Sequence, residues 1–506
     1  MSGSRSQTQD RSARLPTRSD IEVAFARYRE LIADWPAFID ALRRPHVPCV
    51  WANELRISRD ALATLLVEEG LQAQPVSWAR AGFRLPSTAQ PGSRWPYQVG
   101  LYQVQEESSM LPVRLLDPQP GDRVLDLCAA PGNKTAQIAV ALGGRGTVVA
   151  NDHNRHRLAA VQNAIARLGL CNVAVTRADG RTFPAQEQPF DRVLVDVPCS
   201  AEGTLRKTRS INPRTREFSQ YIRGTQAALL RRAVCLTRPG GRIVYSTCTF
   251  APEENEMVIE SVMSEMPGAL RIVPIDTRSG LPGSSGVTEW RGRQLAAELA
   301  DCRRLWPHQT GTGGFFVAVL ERTREVVADP LGKQAARPTR ERPWRPIPAL
   351  EHEQVVACLS RYGMPSEPFR DLCVAQSGRH LRFTVRDHQP PDHVYRNAIG
   401  LAAMPAKAAQ PRWSTAGVLA FGARATRHVV DVSAEQAQAY LQRRSTALQT
   451  LQSDSRGFVI DRHPGHIPLG NAQIGQHADG AGGDNPGIWL HSRFPRAWIR
   501  SVDPSI

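Results

Sequence analysis

No run of about 18 uninterrupted apolar residues occurs anywhere in the chain, so nothing in it reads as a membrane span. Cysteine is scarce and never paired as C-x-x-C. Nine cysteines, odd in number and scattered over 506 residues, argue against both a disulfide framework and a structural zinc site. The fingerprint G-x-G-x-x-G is also missing, which counts against a dinucleotide cofactor and therefore against a dehydrogenase. Residues 1–18 are rich in Arg and Ser and contain no apolar stretch. They read as a disordered arm rather than a secretory signal, and imply a cytoplasmic address.

What the chain has in excess is positive charge. Lysine and arginine number 63 against 48 acids, a formal net charge of +15, the electrostatic footprint expected of a protein that binds a polyanion such as nucleic acid. A hydrophobic content of 41% suits packed cores, and the length suggests about three domains.

A helical beginning is expected at "SDIEVAFARYRELI", where Ser19 and Glu22 have capping-box spacing and Phe25, Tyr28 and Ile32 share a face. Residues 19–119 read as an N-terminal α/β region. From 120 to 322, apolar strands alternate with amphipathic helices: "RVLDLCAAPG", "GTVVAND", a helix bearing Leu158, Val161, Ile165 and Leu168 and ending at Gly169, then "NVAVTRAD", "RVLVDVPC" and "RIVYSTC". Continuous Val/Ile/Leu strands separated by helices predict an α/β fold with a doubly wound, mostly parallel, Rossmann-like sheet. Residues 323–346 read as a charged, Pro-bearing linker. Residues 347–506 read as a helical piece followed by a small β-rich domain with a mobile loop at "GQHADGAGGDNPG".

The turn "LCAAPGNK" lies between a strand and a helix, where doubly wound folds bind ligands, and its small residues allow close backbone approach. Asp126, Asp152, Asp179 and Asp196 each close a successive strand. Singly, each reads as a turn-favouring residue. Together they suit a cofactor with a ribose, an adenine and a cationic centre, which S-adenosylmethionine combines.

Most free cysteines are inert packing residues, and Cys49, Cys128, Cys171 and Cys235 are expected to be so. Cys199 and Cys248 differ, because each falls just past the C-terminal end of a strand, on the ligand edge of the sheet. Beside a methyl donor, a thiolate that adds to carbon 6 of cytosine makes carbon 5 nucleophilic. The later loss of the carbon 5 proton and of the thiolate needs a base or a second group. Two cysteines could divide these tasks.

The motifs "LDLCAAPGNKT", "DVPCSAEGTLRK", "YSTCTFAPEENE", "QEESSMLP" and "TGTGGFFVAVLER" resemble, in order, those of the RNA cytosine-5 methyltransferases of the Fmu/Sun family. The resemblance covers residues 20–322. It implies that Cys248 attacks the base, that Cys199 assists release of the methylated RNA, and that Cys128, Ala129, Ala130, Pro131, Gly132, Asn133 and Lys134 wrap S-adenosylmethionine. It further implies Asp152 on the ribose, Asp179 near the adenine, and Asp196 between cofactor and target cytosine, with Lys134 reaching into the same site. Asn133 stands where many relatives have Gly, a residue tolerant of positive φ, and Trp51 where many have Arg. From about Gly400 onward the chain resembles the PUA-like RNA-binding appendage of ribosomal-RNA members.

The basic stretch "LRKTRSINPRTREF", with Arg206, Lys207, Arg209, Arg214 and Arg216, is expected to face RNA near the cleft. The reading is thus a monomeric S-adenosylmethionine-dependent enzyme methylating carbon 5 of a cytosine in small-subunit ribosomal RNA, with no metal and no membrane partner. Transfer RNA is the alternative substrate, and a catalytically idle RNA-binding assembly factor the alternative class.

Overall fold

The computed structural model describes residues 16–499 except 80, 212–215, 277–279, 325–343, 392, 449–457, 464–466 and 477–487. Nearly all of the arm expected over 1–18, most of the linker expected over 323–346 and most of the Gly-rich loop lie outside these residues. Among the described residues no helix is long and apolar enough to cross a membrane.

The N-terminal region opens on helix Arg18–Phe25, two residues earlier than the Ser19/Glu22 spacing predicts. Thr17 and Asp20 form the capping box instead, the Thr17 hydroxyl accepting from the Asp20 backbone N–H. Phe25, Tyr28 and Ile32 are buried as expected. Beyond these helices lies a four-stranded antiparallel sheet, with Gly82–Arg84 and Tyr102–Val104 flanking Cys49–Ala52. Its strand alternation separates two faces. Val50 and Ala52 pack with Leu62 and Leu66 of helix Arg59–Glu68, while Cys49 and Trp51 face the central core. The N-terminal region is therefore fused to the central sheet domain. Buried Asn53 donates to the carbonyls of Gly100 (2.9 Å) and Leu168 (3.0 Å), bridging the two parts.

The centre is a ten-stranded mixed sheet. Its strands are β1 (Arg123–Asp126), β2 (Thr147–Asn151), β3 (Val173–Thr176), β4 (Phe190–Asp196), β5 (Thr237–Thr247), β6 (Leu270–Ile272), β7 (Ser284–Ser285), β8 (Arg303–Leu305), β9 (Phe315–Arg322) and β10 (Arg396–Ile399). The spatial order is β7-β8-β9-β5-β4-β1-β2-β3-β10, with β6 beside β9. The five strands from β5 to β3 are parallel, as the uninterrupted apolar runs predict, while β9 and β10 lie antiparallel at either side. Helices α1 (Asn133–Ala141), α2 (Arg155–Leu168), α3 (Arg216–Leu236) and α4 (Glu256–Glu265) cover its faces. Gly169 caps α2 in the left-handed conformation. Chain order reverses between β1 and β4, the place where open α/β sheets bind ligands. Strand β10 comes from the C-terminal part of the chain and has no counterpart in the sequence reading.

The rest of the C-terminal region is β-rich, with a four-stranded and a five-stranded sheet packed around helix Thr415–Phe421 and buried Trp413. A separate aromatic cluster joins the N-terminal helices to the segment just after Cys248. Phe250 stacks on Trp306 at 5.2 Å and meets Phe25 and Phe38 edge-on. The same segment is gripped by Arg304, which donates to the Phe250 carbonyl (2.7 Å) and pairs with Glu256, both side chains being almost wholly buried. Removing one member of a buried pair strands the other charge, at a cost of about 3–5 kcal/mol. Arg304→Leu is accordingly expected to destabilise the first unfolding transition by that order, measured by denaturant titration. A loss below about 1 kcal/mol, the range of a surface ion pair, would contradict the burial assigned to Glu256.

Candidate active site

Strand β1 delivers Asp126 to the base of the turn Leu127–Gly132, after which α1 begins. Gly132 has φ +106°, and a Cβ there would lie 2.9 Å from the Val161 Cα. Glycine is required by the backbone conformation and by the close packing of α2. Asn133 is the first residue of α1, so the left-handed position falls on Gly132, and tolerance of positive φ does not explain Asn133. Its side chain instead faces the N-terminal sheet and accepts a hydrogen bond from Gln103 Nε2 (2.6 Å).

Asp196, at the end of β4, accepts on both carboxylate oxygens, from Lys134 Nζ (2.7 Å) and from the Ser246 hydroxyl (2.7 Å) of neighbouring β5. Burial alone would lower the Lys134 ammonium; the Asp196 charge and hydrogen bond more than reverse this, holding it above its ordinary value. Three residues past Asp196 and two past Ser246, the sulfurs of Cys199 and Cys248 lie 3.4 Å apart, both free thiols. The hydrogen bond with Cys248, then burial, then the neighbouring Cys248 and Glu254 charges raise the Cys199 thiol well above its usual value.

Cys248 opens onto a cavity of about 250 Å³. Its walls include Asp126, Cys128, Ala129, Ala130, Pro131, Asn133, Lys134 and Asp196, so the turn, the ion pair and one thiol share a single space. The structure does not bring Asp152 and Asp179 into it. They lie farther along the same sheet edge. Asp152 is 3% exposed and accepts from the backbone N–H groups of Asn154 (2.8 Å) and Ala130 (3.3 Å). Asp179 caps the turn Gly180–Thr182 and is gripped by the Arg181 guanidinium, which holds its carboxyl below the usual range. The donor chemistry fits an elongated, partly cationic cofactor such as S-adenosylmethionine. A small-residue turn allows close approach, acids flank it, and the buried Asp126 Oδ1 has no hydrogen-bond partner among the described residues.

Two expectations need correction, and several wall residues, Glu106 and His46 among them, were not foreseen. Arg206 does line the cavity, as its place beside the cleft suggested, but it is 5% exposed and its guanidinium donates to the carbonyls of Pro45 (2.8 Å) and Thr312 (2.8 Å) rather than being offered to RNA. It ties the Pro-Cys segment to the N-terminal region and the Gly-rich turn. Lys207 is exposed at the cavity, and Arg209 is half-exposed, donating to the Arg43 carbonyl (3.1 Å). Arg214 lies outside the described residues, as does the side chain of Arg216. The second correction is Asn133, which is helical and bonded to Gln103 rather than left-handed. Glu106 and His46 also line the cavity. Glu106 accepts from the Gly313 backbone N–H (2.9 Å), and its motif "QEESSMLP" was a usable signal. His46 had none, being one residue in an irregular stretch.

The chain has clear relatives. The family description "16S rRNA methyltransferase RsmB/F" matches residues 113–321, and "N-terminal domain of 16S rRNA methyltransferase RsmF" matches residues 24–107. A ribosomal RNA small subunit methyltransferase F of Klebsiella pneumoniae is 33% identical over 92% of this chain and 92% of its own. A 28S rRNA (cytosine-C(5))-methyltransferase of Mus musculus is 34% identical over 60% of this chain and 39% of its own. Among solved structures, a methyltransferase homologue from Pyrococcus horikoshii aligns with a TM-score of 0.53 at 31% identity, covering 61% of this chain and 99% of that one.

Asp126 offers a test of the site's electrostatics. Burial pushes its carboxyl up to about 7, against the opposing Thr135 hydrogen bond, from an ordinary 3.8. A raised folded value means that the contribution to stability is complete below 3.8 and is lost as pH rises towards 7. Asp126→Asn cannot titrate. Its stability relative to the parent is expected to improve as pH rises from 3.8 to about 7, by up to about 1.4 kcal/mol per pH unit crossed, and to level off above that, read from urea midpoints. A pH-independent difference would show that the carboxyl is ionised throughout.

Proposed function

Because the chain belongs to the 16S rRNA methyltransferase RsmB/F family, we propose that it methylates carbon 5 of a cytosine in small-subunit ribosomal RNA, with Cys248 as the nucleophile. The observation that carries this reading is the pair of thiols 3.4 Å apart, one of them at a cavity shared with Lys134 and Asp196. Bound S-adenosylmethionine supplies an electrophilic methyl group on a sulfonium. The residues suited to hold it are the turn from Cys128 to Lys134, Asp152 for a ribose, and Asp179 towards an adenine.

The target cytosine must leave its stack to reach a recessed thiol. Asp196, an acceptor on both oxygens, suits the exocyclic amino group. Lys134 has further N–H groups for N3 or O2, and donation there withdraws density from the ring. The Cys248 thiolate then adds to carbon 6. A sulfur–carbon bond forms, the carbon 5–carbon 6 double bond opens, and its electron pair makes carbon 5 the nucleophile. After methylation carbon 5 carries both a proton and a methyl group. Loss of that proton to a base returns its electron pair to the ring, the double bond reforms, and the carbon–sulfur pair leaves with Cys248 as thiolate. Cys199 is the group suited to assist this departure, because its S–H can donate to the sulfur being released.

The test is transfer of labelled methyl to RNA from cells lacking this modification, with the RNA fractions separated and hydrolysed. Label in 5-methylcytosine of small-subunit ribosomal RNA is expected. Cys248→Ala should abolish transfer by a factor on the order of 10⁴ or more, as expected when a nucleophile is removed. Cys199→Ala should leave an enzyme–RNA adduct that survives denaturation. Undiminished turnover by Cys248→Ala would sink the assignment, and label confined to transfer RNA would move the substrate.

A further inference from the structure

Backbone hydrogen bonds hold the loop that carries Cys199 at its ends, Val197 N–H to the Ser246 carbonyl (3.1 Å) and Gly203 N–H to the Cys248 carbonyl (2.9 Å), and leave its middle to side chains. It leaves β4 at Asp196, and Ala201 adopts φ +58°, a conformation that costs a residue with a Cβ about 1–2 kcal/mol. Such a loop needs outside restraint to keep one geometry. Beside the Ser200–Thr249 hydroxyl bond (2.6 Å), two buried polar side chains on other elements grip the backbone on either side of Cys199. Gln226, in the middle of α3 and 0% exposed, donates through Nε2 to the Pro198 carbonyl (2.9 Å) and to Glu254 Oε2 (3.0 Å). Glu254, 4% exposed in the segment after Cys248, accepts on that same oxygen from the Ser200 backbone N–H (2.9 Å). The carbonyl just before Cys199 and the N–H just after it are thus fastened to one amide–carboxylate pair.

Packing alone does not account for this pair. Gln226 Oε1 has no hydrogen-bond partner among the described residues, and a buried unsatisfied acceptor costs free energy that an apolar side chain would avoid. Its Nε2 has the two partners that matter for Cys199. Cys248 has anchors of its own outside this loop: it directly follows β5, and Asn255 accepts from the Thr247 hydroxyl (2.7 Å) and donates to the Thr249 carbonyl (3.1 Å), gripping the residues on either side of it. Loosening the pair would therefore displace one sulfur and leave the other in place.

We propose that Gln226 and Glu254 are positioning residues that hold the Cys199 thiol against Cys248 for the release half of the reaction. The proposal rests on the release role assigned to Cys199 under the proposed function. Glu254 also contributes, after the Cys248 hydrogen bond and burial, to keeping Cys199 a thiol and so a donor to the departing sulfur.

The experiment compares the full-length parent, Gln226→Leu, Glu254→Gln and Cys199→Ala on an unmethylated small-subunit ribosomal RNA transcript. First-turnover methyl transfer, steady-state turnover and the denaturation-stable enzyme–RNA band are followed together. A misplacement of about 1 Å can cost about 100-fold. Gln226→Leu is expected to slow steady-state turnover by about that factor and to accumulate adduct as Cys199→Ala does, while first-turnover transfer changes by less than about tenfold. Glu254→Gln, which keeps shape but loses charge, should do the same more weakly, and it decides the matter if Gln226→Leu fails to fold. Parent-like release by both variants, or attack and release slowed in equal proportion, overturns the proposal. If Cys199→Ala traps adduct and the other two do not, the positioning role falls and the release role stands. If Cys199→Ala turns over normally, the release role itself falls.

Discussion

The register between β4 and β5 is the constraint on which the site depends. These parallel neighbours set Asp196 opposite Ser246, and the Ser246 hydroxyl bonds the Asp196 carboxylate across the gap. Two loops that leave the sheet from paired positions start side by side, so their cysteines converge without any long-range search. A slip of one residue would turn every side chain of β5 to the other face of the sheet. Asp196 would lose Ser246, and Cys248 would no longer emerge beside Cys199. The continuous apolar character of both strands, Val193 to Val195 and Ile243 to Tyr245, is what makes that slip costly, since both faces are buried.

Around this register the sheet gathers more negative charge than it can settle alone. Asp126, Asp152 and Asp196 approach one another closely enough to raise the Cys128 thiol, beyond the larger effect of its burial. Lys134 answers Asp196, and Arg157 lies 3.3 Å from Asp152. Among the described residues Asp126 is bonded only by the Thr135 hydroxyl, and its burial leaves it holding a proton near neutrality. An edge arranged in this way favours a ligand that brings positive charge and hydrogen-bond donors. A dinucleotide, with its anionic pyrophosphate, would meet carboxylates where it needs bare backbone N–H groups.

Much of this was legible in the chain because parallel strands announce themselves. The runs at Val124, Val148, Val173, Val193 and Ile243 lie in strands β1 to β5, and Gly169 ends α2 as its position suggests. The thiols and the Asp196–Lys134 pair could be named because the motifs that carry them are contiguous. What escaped was whatever depends on a partner distant in sequence. Arg206 has the look of a solvated cation among other cations, and only the fold puts carbonyls from residues 45 and 312 around it. Gln226 sits in a helix that also carries the more exposed Gln220, Arg223 and Arg231, so nothing local separates it from them. Strand β10 is four residues long, and its pairing with β3 rests on backbone groups that any sequence possesses.

The N-terminal region is part of the site's framework and not an appendage to it. The Tyr28 hydroxyl donates to Glu202 Oε2 (2.6 Å), which also accepts from Thr249 (3.0 Å), and Thr249 shares a hydrogen bond with Ser200 (2.6 Å). This chain of bonds runs from an N-terminal helix to the residues directly following both cysteines. Phe25 and Phe38 cover the same segment through Phe250, and Gly314 leaves room for that ring, since a Cβ there would lie 2.2 Å from it. A polar network buried beneath aromatic rings is short of water and therefore stiff. Under the proposed mechanism this stiffness serves the chemistry, because two sulfurs acting as attacker and assistant need a fixed separation more than they need reach. The two matched segments of the chain, residues 24–107 and 113–321, thus meet beside both cysteines as well as along the Asn53 bridge.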